Sequence, residues 1–354
     1  MLLLFPSNRT RLSTMDSEAE RSGRVAYSFP AGTFDLQHTQ GNLCLASEDG
    51  ITTYVGLRLQ WVRLFEMVRH LHVVLGAAAA GPISLADTWE RPDFTLFPGT
   101  GCLYDLESTA EIKWHHLASA IAVVDDHGHQ QTASIQFFDR QGRGCLKLML
   151  TNFSDLDAFD RLVKKHAVPF DSGVEPDAPI CSGCKATAKV PDADLVRRLW
   201  RDAARTRPDD HLPGLSRFKR RDALPLLGDE LARDCQGMVV MRALEIATAQ
   251  GIPLRCAVNN QGVFLPAPFT PTHSNPCDAG LTFFSPFAQL TLRHNREPWE
   301  AWATRHSSWP IQSRLTLEIY DDEGQLCGTL TPAPEASDRQ VHAWNAVLKS
   351  HRQM

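Results

Sequence analysis

Two stretches of the chain share one pattern of hydrophobic and polar positions. They read SIQFFDRQGRGCLKLML, residues 134–150, and TLEIYDDEGQLCGTL, residues 316–330. The positions that match at a constant offset are Ile135 with Leu317, Phe137 with Ile319, Phe138 with Tyr320, Asp139 with Asp321, Gly142 with Gly324 and Cys145 with Cys327. Each stretch has a mostly apolar run, then Asp-x-x-Gly, then a second run. This pattern predicts a β-hairpin whose glycine supplies the positive φ of a tight turn.

An amphipathic helix is predicted after each hairpin. Its apolar positions at helical spacing are Leu156, Phe159, Leu162 and Val163 in the first copy, and Val341, Trp344, Val347 and Leu348 in the second. Ser154 and Ser337 are the expected N-caps. Both helices end in Lys-x-His, which we interpret as basic last turns that complement the helix dipole: Lys164 and His166, then Lys349 and His351.

A weaker repeat precedes each hairpin. Residues 61–85 and 239–265 each read as an amphipathic helix followed by a short strand and a turn. Each half of the chain is then a helix, a run of antiparallel strands and a terminal helix. We therefore predict an α+β fold made by tandem structural duplication, in which each half is an antiparallel β-sheet flanked by helices.

The same pattern divides the chain into four segments. They are a disordered N-terminus at 1–22, a first repeat at 23–168, a linker at 169–194 and a second repeat at 195–354 that includes a helical segment after the linker. The linker region is rich in proline and lacks apolar periodicity. We expect residues 1–22 and 171–190 to be mobile, because they have little apolar surface to bury against the entropy of ordering.

Composition narrows the class of protein. The formal net charge of −5 argues against a nucleic-acid partner, which favours a basic surface. No apolar run of about 18 residues is present, so we expect no membrane span. The N-terminal MLLLFPSNRTRLSTM has too short an apolar stretch for a signal peptide. Nine cysteines, an odd number, then indicate reduced thiols and a cytoplasmic protein.

The most chemically suggestive stretch follows the linker. His211 precedes a basic cluster formed by Arg217, Lys219, Arg220 and Arg221. One imidazole beside several cations suits an anionic ligand that carries a metal, and haem is such a ligand. The alternative is a solvated histidine next to the wet face of a helix.

Other metal-binding patterns are weaker. The linker carries a single C-x-x-C at Cys181 and Cys184, without the second pair or the histidines that zinc requires. Its role stays open between a metal or redox site and no function. Histidines at His115, His116, His127 and His129 could bind a metal, although a polar hairpin tip is the preferred reading. Nucleotide-binding, serine-hydrolase and zinc-protease motifs do not occur in the sequence.

The order of these motifs resembles a known family. The segments that carry the resemblance are SIQFFDRQG in the first half and ALEIATAQGIPL, VNNQGVF and FAQLTLRHN in the second. They are similar to the HemS/HmuS/ChuS family of cytoplasmic hemin-transport and hemin-degrading proteins, over roughly residues 60–350. The resemblance implies two similar halves, with haem b held between the C-terminal sheet and the helical segment after the linker.

The resemblance also implies site residues. The family's iron ligand is a histidine in a Trp…Thr-His-x-Phe-Phe segment shortly before an Ala-Leu-x-Leu helix. Trp200 and Thr206 fit this frame, but Arg207 occupies the histidine position. His211, one helical turn further on, becomes the candidate axial ligand of the haem iron.

Cations on the haem side follow in the same way. Arg217 and Arg221 are candidate propionate contacts, and Arg293 matches the family's leucine-arginine step in FAQLTLRHN. The family also uses an arginine of a D-L-R strand on the opposite side of the haem. This chain has Asp105-Leu106-Glu107 at that place, so Glu107 occupies the position of the family's arginine.

Two functions follow from the resemblance. The first is a cytoplasmic haem-binding protein that handles imported hemin by transfer or storage, with oxygenase-type degradation as a further step. Its partners would be a haem-uptake transporter or a downstream haem acceptor. The second is a scaffold or regulatory protein that keeps the fold and has lost the pocket, which Glu107, Arg207 and the pair Asp209 and Asp210 favour.

Overall fold

The computed structural model describes residues 52–126, 131–168, 192–203, 219–235, 237–277, 280–293, 299–305 and 314–350. Several sequence predictions lie outside these ranges. They concern the segments 1–22 and 171–190, the Cys181 and Cys184 pair, His127 and His129, the candidate ligand His211 and Arg217, and the terminal His351.

The described residues form six α-helices and nineteen strands. The helices are α1 Trp61–Val68, α2 Leu156–His166, α3 Ala193–Ala203, α4 Arg220–Leu227, α5 Gly237–Gln250 and α6 Asp338–Lys349. The strands before α2 are β1 Thr52–Leu57, β2 Val73–Ala80, β3 Ile83–Glu90, β4 Asp93–Phe97, β5 Thr100–Tyr104, β6 Thr109–Ile112, β7 Leu117–Asp126, β8 Gln131–Asp139 and β9 Gly144–Leu150. The later strands are β10 Ala167–Val168, β11 Ala232–Cys235, β12 Leu254–Asn259, β13 Val263–Phe269, β14 His273–Cys277, β15 Gly280–Phe284, β16 Ala288–Arg293, β17 Glu300–Arg305, β18 Leu315–Tyr320 and β19 Leu326–Pro332. Among the described helices, none is long and apolar enough to cross a bilayer.

Two antiparallel sheets carry the fold. The ten-stranded sheet has the order β10-β1-β7-β8-β9-β2-β3-β16-β15-β14, and the nine-stranded sheet has the order β11-β17-β18-β19-β12-β13-β6-β5-β4. Read from one edge, the two orders correspond strand by strand once β10 is set aside. The predicted α+β class with a duplicated, antiparallel architecture is therefore confirmed.

Each sheet contains strands from both halves of the chain. The first half contributes β4, β5 and β6 to the nine-stranded sheet, and the second half contributes β14, β15 and β16 to the ten-stranded sheet. The junctions are β13 with β6 and β3 with β16, both antiparallel. The repeat predicted one sheet for each half, and the structure adds this exchange of three strands in each direction.

The two predicted hairpins have the same turn. Gly142 and Gly324 both have φ of 72°, as the Asp-x-x-Gly pattern requires. Their amides donate to the carbonyl oxygens of Asp139 and Asp321, each at 3.0 Å. The carboxylate Oδ1 atoms accept from the backbone as well, at 2.9 Å from Arg143 and 2.7 Å from Gln325. The hairpin prediction is confirmed in both copies.

One of the two predicted helix caps is wrong. Ser337 caps α6 and forms a reciprocal capping box with Gln340, as expected. In α2 the N-cap is Asp155, whose carboxylate accepts from the Ala158 amide at 2.9 Å. Ser154 lies one residue before the cap, where its hydroxyl accepts from the Thr151 amide at 2.8 Å and donates to the carbonyl oxygen of Val73, the first residue of β2.

The last turn of α2 only partly matches its prediction. Lys164 is exposed and pairs with Asp160. His166 is instead buried, with 2% of its surface exposed, and its Nε2 has no hydrogen-bond partner among the described residues. Burial lowers the pKa of His166, and the nearby cations Lys165, Arg58 and Arg63 lower that pKa further. The imidazole is a neutral core group and not a basic partner for the helix dipole.

One hydrophobic core joins the two halves. Buried residues of both sheets and of α1, α2, α5 and α6 form a single cluster, in which Phe65 stacks on Phe137 at 5.0 Å between ring centroids. The repeated cysteines lie at the contact between the halves. A Cβ added at Gly262 would lie 2.8 Å from Cys145 Sγ, and one added at Gly81 would lie 2.8 Å from Cys327 Sγ. Each cysteine therefore occupies the space beside a glycine of the other half.

Candidate functional site

Helices α3 and α4 cover one end of the nine-stranded sheet. Their apolar faces form a separate buried cluster with that sheet, composed of Val196, Trp200, Ala223, Leu224, Leu227, Ala232, Tyr320 and Leu326. Residues 204–218, which include His211 and Arg217, connect the two helices and lie outside the described residues. The structure thus fixes both ends of the segment in which the sequence predicts the iron ligand.

A buried ion pair fastens α4 to the sheet. Arg220 donates from Nε to Glu318 Oε2 at 3.0 Å and from Nη2 to Glu318 Oε1 at 2.7 Å. Thr304 Oγ1 donates to Glu318 Oε1 at 2.7 Å, and the Tyr320 hydroxyl donates to Oε2. Burial and the Glu318 carboxylate raise the pKa of Tyr320, so its hydroxyl stays a donor. All four hydrogen bonds are charge-assisted, which offsets the desolvation of the carboxylate.

Trp200 completes this anchor from α3. Its ring lies 4.1 Å from the guanidinium carbon of Arg220, a cation–π contact, and its Nε1 donates to the carbonyl oxygen of Arg305 at 3.3 Å. The tryptophan of the resembled Trp…Thr frame therefore packs in the core beneath the helices. It holds α3 and α4 together and is 1% exposed.

The neighbouring Arg221 has a carboxylate partner at the surface. Its Nε donates to Glu300 Oε2 at 2.9 Å, and its Nη2 donates to Glu300 Oε1. Hydrogen bonding to Arg221 lowers the pKa of Glu300. Both side chains are more than one third exposed. A propionate at Arg221 would therefore compete with the Glu300 carboxylate.

The sheet face beside these helices continues as an open surface. Residues directly opposite each other in antiparallel strands have their side chains on the same face of the sheet. Glu318 lies opposite Thr329, and Thr329 lies opposite Ala257, so these three side chains share one face. Two residues on from Ala257, the register places one row of half-buried side chains across five strands: Asn259, Phe264, Glu111, Cys102 and Thr95. Lys113 reaches this row, with its Nζ 3.5 Å from Asn259 Oδ1. A flat ligand could lie on this face with an aromatic ring and a cation beside it.

Glu107 lies at the turn between β5 and β6 on the same sheet. The Asp105 carboxylate accepts from the amides of Glu107 and Ser108, at 2.9 and 2.7 Å, and so shapes the turn. Glu107 and Leu106 are exposed. The position where the resemblance expects an arginine is therefore a solvent-facing acid at the rim of the open face.

Arg293 lies elsewhere. It ends β16 in the ten-stranded sheet and is 6% exposed. Leu290 and Leu292 point into the core shared by the sheets, so strand alternation directs Arg293 to the outer face of its own sheet. Helix α4 covers the other sheet. The structure thus separates Arg293 from Arg221, and the two do not line one pocket on the helix side.

The remaining candidates do not form a metal centre within the described ranges. No group of three or more histidine, cysteine, aspartate or glutamate side chains occurs there with metal-binding geometry. His115 and His116 lie in a short 3₁₀ turn after β6, with ring centroids 5.0 Å apart. Burial, more than the nearby Glu111 carboxylate, raises the pKa of the Cys102 thiol, so it is not a thiolate ligand at neutral pH.

Sequence reasoning missed the roles of Arg220 and Glu318. The basic run was open to interpretation as a solvated helix face, yet Arg220 is 3% exposed. One signal was available. Glu318 is the single charge in the strand LTLEIY, between Leu317 and Ile319, and an acid at a buried strand position requires a partner.

Comparison with known proteins agrees with this architecture. Residues 104–166 match the family model described as the haemin-degrading HemS.ChuX domain. The hemin transport protein HmuS of Yersinia pestis is 26% identical over 145 residues, which cover 41% of this chain and 41% of that protein. The aligned region is thus less than half the length of that relative.

Two solved structures share the fold over most of the chain. One is holo-PhuS, a heme-binding protein from Pseudomonas aeruginosa, with 21% identity and a TM-score of 0.72, covering 94% of this chain and 95% of that one. The other is the heme degrading enzyme ChuS of Escherichia coli O157:H7, with 19% identity and a TM-score of 0.71, covering 87% and 90%. Together the domain match and the shared fold confirm the resemblance to the HemS/HmuS/ChuS family.

Proposed function

We propose that this chain, which carries a HemS.ChuX domain on the fold of PhuS and ChuS, is a cytoplasmic haem-binding protein. It would receive imported hemin and transfer or store it, with haem b as the ligand. A haem-uptake transporter and a downstream haem acceptor are the partners that such a role implies.

One observation carries the proposal. Helices α3 and α4 are fastened to the nine-stranded sheet by the Arg220 and Glu318 ion pair, beside a sheet face that is only half buried. The segment between these helices, which contains His211, is therefore tethered at both ends next to a surface that can receive a planar ligand.

Some described residues have groups that suit the ring and the propionates of haem. Phe264 offers an apolar ring and Lys113 a cation on the open face, and Arg221 can exchange Glu300 for a propionate. We assign His211 as the axial ligand, with Arg217 as a second propionate contact. His211 would hold the iron through a neutral imidazole nitrogen, and the iron would supply the chemistry of the bound haem.

Degradation makes a further demand on the site. Bound haem supplies the iron at which oxygen is activated, and the protein must place a hydrogen-bond donor on the oxygen side. Glu107 stands where the resemblance expects an arginine, and a carboxylate at neutral pH accepts hydrogen bonds without donating them. We therefore propose binding and transfer as the main role, with degradation as a secondary one.

A haem titration followed by absorbance tests the proposal. We expect a saturable shift of the Soret band with the full chain. Addition of ascorbate in air then separates the two roles, since a persistent Soret band indicates carriage and a decaying band indicates degradation. A full chain that leaves the haem spectrum unchanged contradicts haem handling altogether.

The second candidate is a scaffold or regulatory protein that binds no haem. Its supporting observation is that both described arginines of the basic cluster already have carboxylate partners, Glu318 and Glu300. A matched pair of variants separates the candidates: Glu300→Gln releases Arg221, while Glu323→Gln changes an exposed acid on the nearby hairpin turn. Under the haem-binding proposal Glu300→Gln tightens haem binding, and under the scaffold proposal neither variant binds.

A further inference from the structure

A groove with two tryptophans lies outside the site described above. It is an open groove of about 330 Å³ lined by Gln60, Trp61, Val62, Arg63 and Trp114. Both tryptophans are half buried, and Arg63 is exposed. The groove therefore combines indole surface with a guanidinium group between the start of α1 and the turn that follows β6.

The tryptophans are held by the fold. Trp61 packs on Phe137, with ring centroids 6.2 Å apart. The ring of Trp114 lies against Gly101 of β5, where an added Cβ would come within 2.9 Å of it. A glycine on the strand thus allows the ring to lie close to the sheet, and the groove is pre-formed. Its size is within the range of small-molecule pockets, roughly 300–1,000 Å³.

Several cations lie around the groove. Arg58, Arg63 and Lys165 lie near enough to one another to act together on the pKa of His166. On the other side, burial lowers the pKa of His116 most, the neighbouring His115, Lys113 and Arg140 lower it further, and the Asp139 carboxylate acts in the opposite direction. Within the described part of the chain, Arg58 and Arg63 have no carboxylate within 4.0 Å, whereas Arg220 and Arg221 do. This local excess of cations stands out in a chain whose net charge is −5.

The corresponding tryptophan in the second half of the chain has a different contact. Helix α5 corresponds to α1, and Trp299 precedes β17 as Trp114 precedes β7. Trp299 packs on the first residue of α5, since a Cβ added at Gly237 would lie 2.9 Å from its ring. In the first half the tryptophan rests on a strand, and in the second half it rests on a helix.

We propose that the groove is a second ligand site, which binds a planar tetrapyrrole carboxylate between Trp61 and Trp114 with a carboxylate on Arg63. Indole faces favour flat aromatic rings, and a guanidinium group favours a carboxylate. The choice of a tetrapyrrole rests on the proposed function, while the site itself rests on the groove.

Binding stoichiometry tests the second site. The full chain is titrated with haem and with zinc protoporphyrin, and two equivalents are expected for each. Arg63→Glu and Trp114→Ala should each weaken one equivalent by at least roughly tenfold, because a charge-assisted pair or a large aromatic contact is lost. Arg161→Glu, an exposed arginine of α2 outside the groove, is the matched control and should keep both equivalents.

The outcomes separate this site from the His211 site. If His211→Ala removes one equivalent and Arg63→Glu removes the other, both assignments stand. A single equivalent that only His211→Ala removes overturns the groove proposal and leaves the proposed function intact. A single equivalent that Arg63→Glu removes supports the groove and contradicts the His211 assignment. Binding of neither probe overturns both. Arg63 is exposed, so its variant stays informative even if Trp114→Ala unfolds the protein.

Discussion

Arg220 of α4 and Glu318 of β18 form a bidentate ion pair in which 3% and 0% of the side chains are exposed. The pair spans 98 residues of sequence. Attraction between such charges offsets their desolvation only while both are present. The pair therefore fixes where α4 sits on the sheet, and with it one end of the segment that carries His211.

Removal of the Glu318 charge should destabilise the protein strongly. Glu318→Gln leaves the Arg220 guanidinium buried without a counter-ion, and the free energy of unfolding should fall by about 3 kcal/mol. Urea denaturation measures this loss. Glu300→Gln is the control, because its partner Arg221 is partly exposed and the loss should be about 1 kcal/mol or less. Equal losses for the two variants would show that burial of the pair is unimportant.

Haem binding should depend on His211. His211→Ala should abolish the histidine-ligated spectrum and weaken affinity, since Arg207 at the family's ligand position stays protonated and has no lone pair for iron. Absorbance titration measures both effects. His273→Ala and His294→Ala are the controls, and His273 stacks on Phe284 at 4.8 Å in the other sheet. An unchanged spectrum in His211→Ala would show that His211 is not the ligand, and His273 or His294 would become the candidate.

Stability should fall in mild acid because of His166. Its pKa is lowered in the folded state, so the unfolded chain binds the proton more readily. Stability from this group is complete above the unfolded pKa, about 6.5, and is lost as the pH falls from there toward the lower folded pKa. The free energy of unfolding, measured by urea denaturation between pH 7.5 and 5, should depend less on pH in His166→Gln than in the parent protein. His342→Gln, at an exposed position of α6, is the control and should keep the pH dependence of the parent protein.

The two hairpin glycines should be equally important. Gly142→Ala and Gly324→Ala each place a Cβ on a residue with φ of 72°, which costs roughly 1–2 kcal/mol. Thermal or urea denaturation should show similar losses for both variants. Neighbouring Gln141→Ala and Gln325→Ala test the turns without changing the glycine. A loss at only one glycine would contradict the equivalence of the hairpins.

The halves should not fold independently. Separate chains of residues 23–168 and 195–354 would each lack three strands of their own sheet and expose the junction strands β3 and β13. We expect poor secondary structure or aggregation for each alone, and a native-like complex when they are mixed. Circular dichroism and size-exclusion chromatography measure this. A second half that unfolds cooperatively by itself, with the parent midpoint, would contradict the importance of the exchange.

The sequence determined the repeated units because their signals are local. Asp139 and Gly142 lie within one turn, and the hydrogen bonds that define the hairpin join residues at most four apart. The Ser337 cap likewise needs only Gln340, three residues on. The constant offset between the copies then required two similar architectures. Family resemblance added the segment in which a haem ligand is expected.

Only the tertiary structure decided which strands pair across the halves. Alternating apolar positions encode which face of a strand is buried but carry no information about its neighbours. One edge of β6 pairs with β5 of its own half, and the other edge pairs with β13 of the second half. The same holds for groups whose partners are distant in sequence. The Ser154 hydroxyl donates to the carbonyl oxygen of Val73, and the buried Arg220 side chain pairs with the Glu318 carboxylate. Burial and long-range pairing change the chemistry of a side chain after the local pattern has fixed its position.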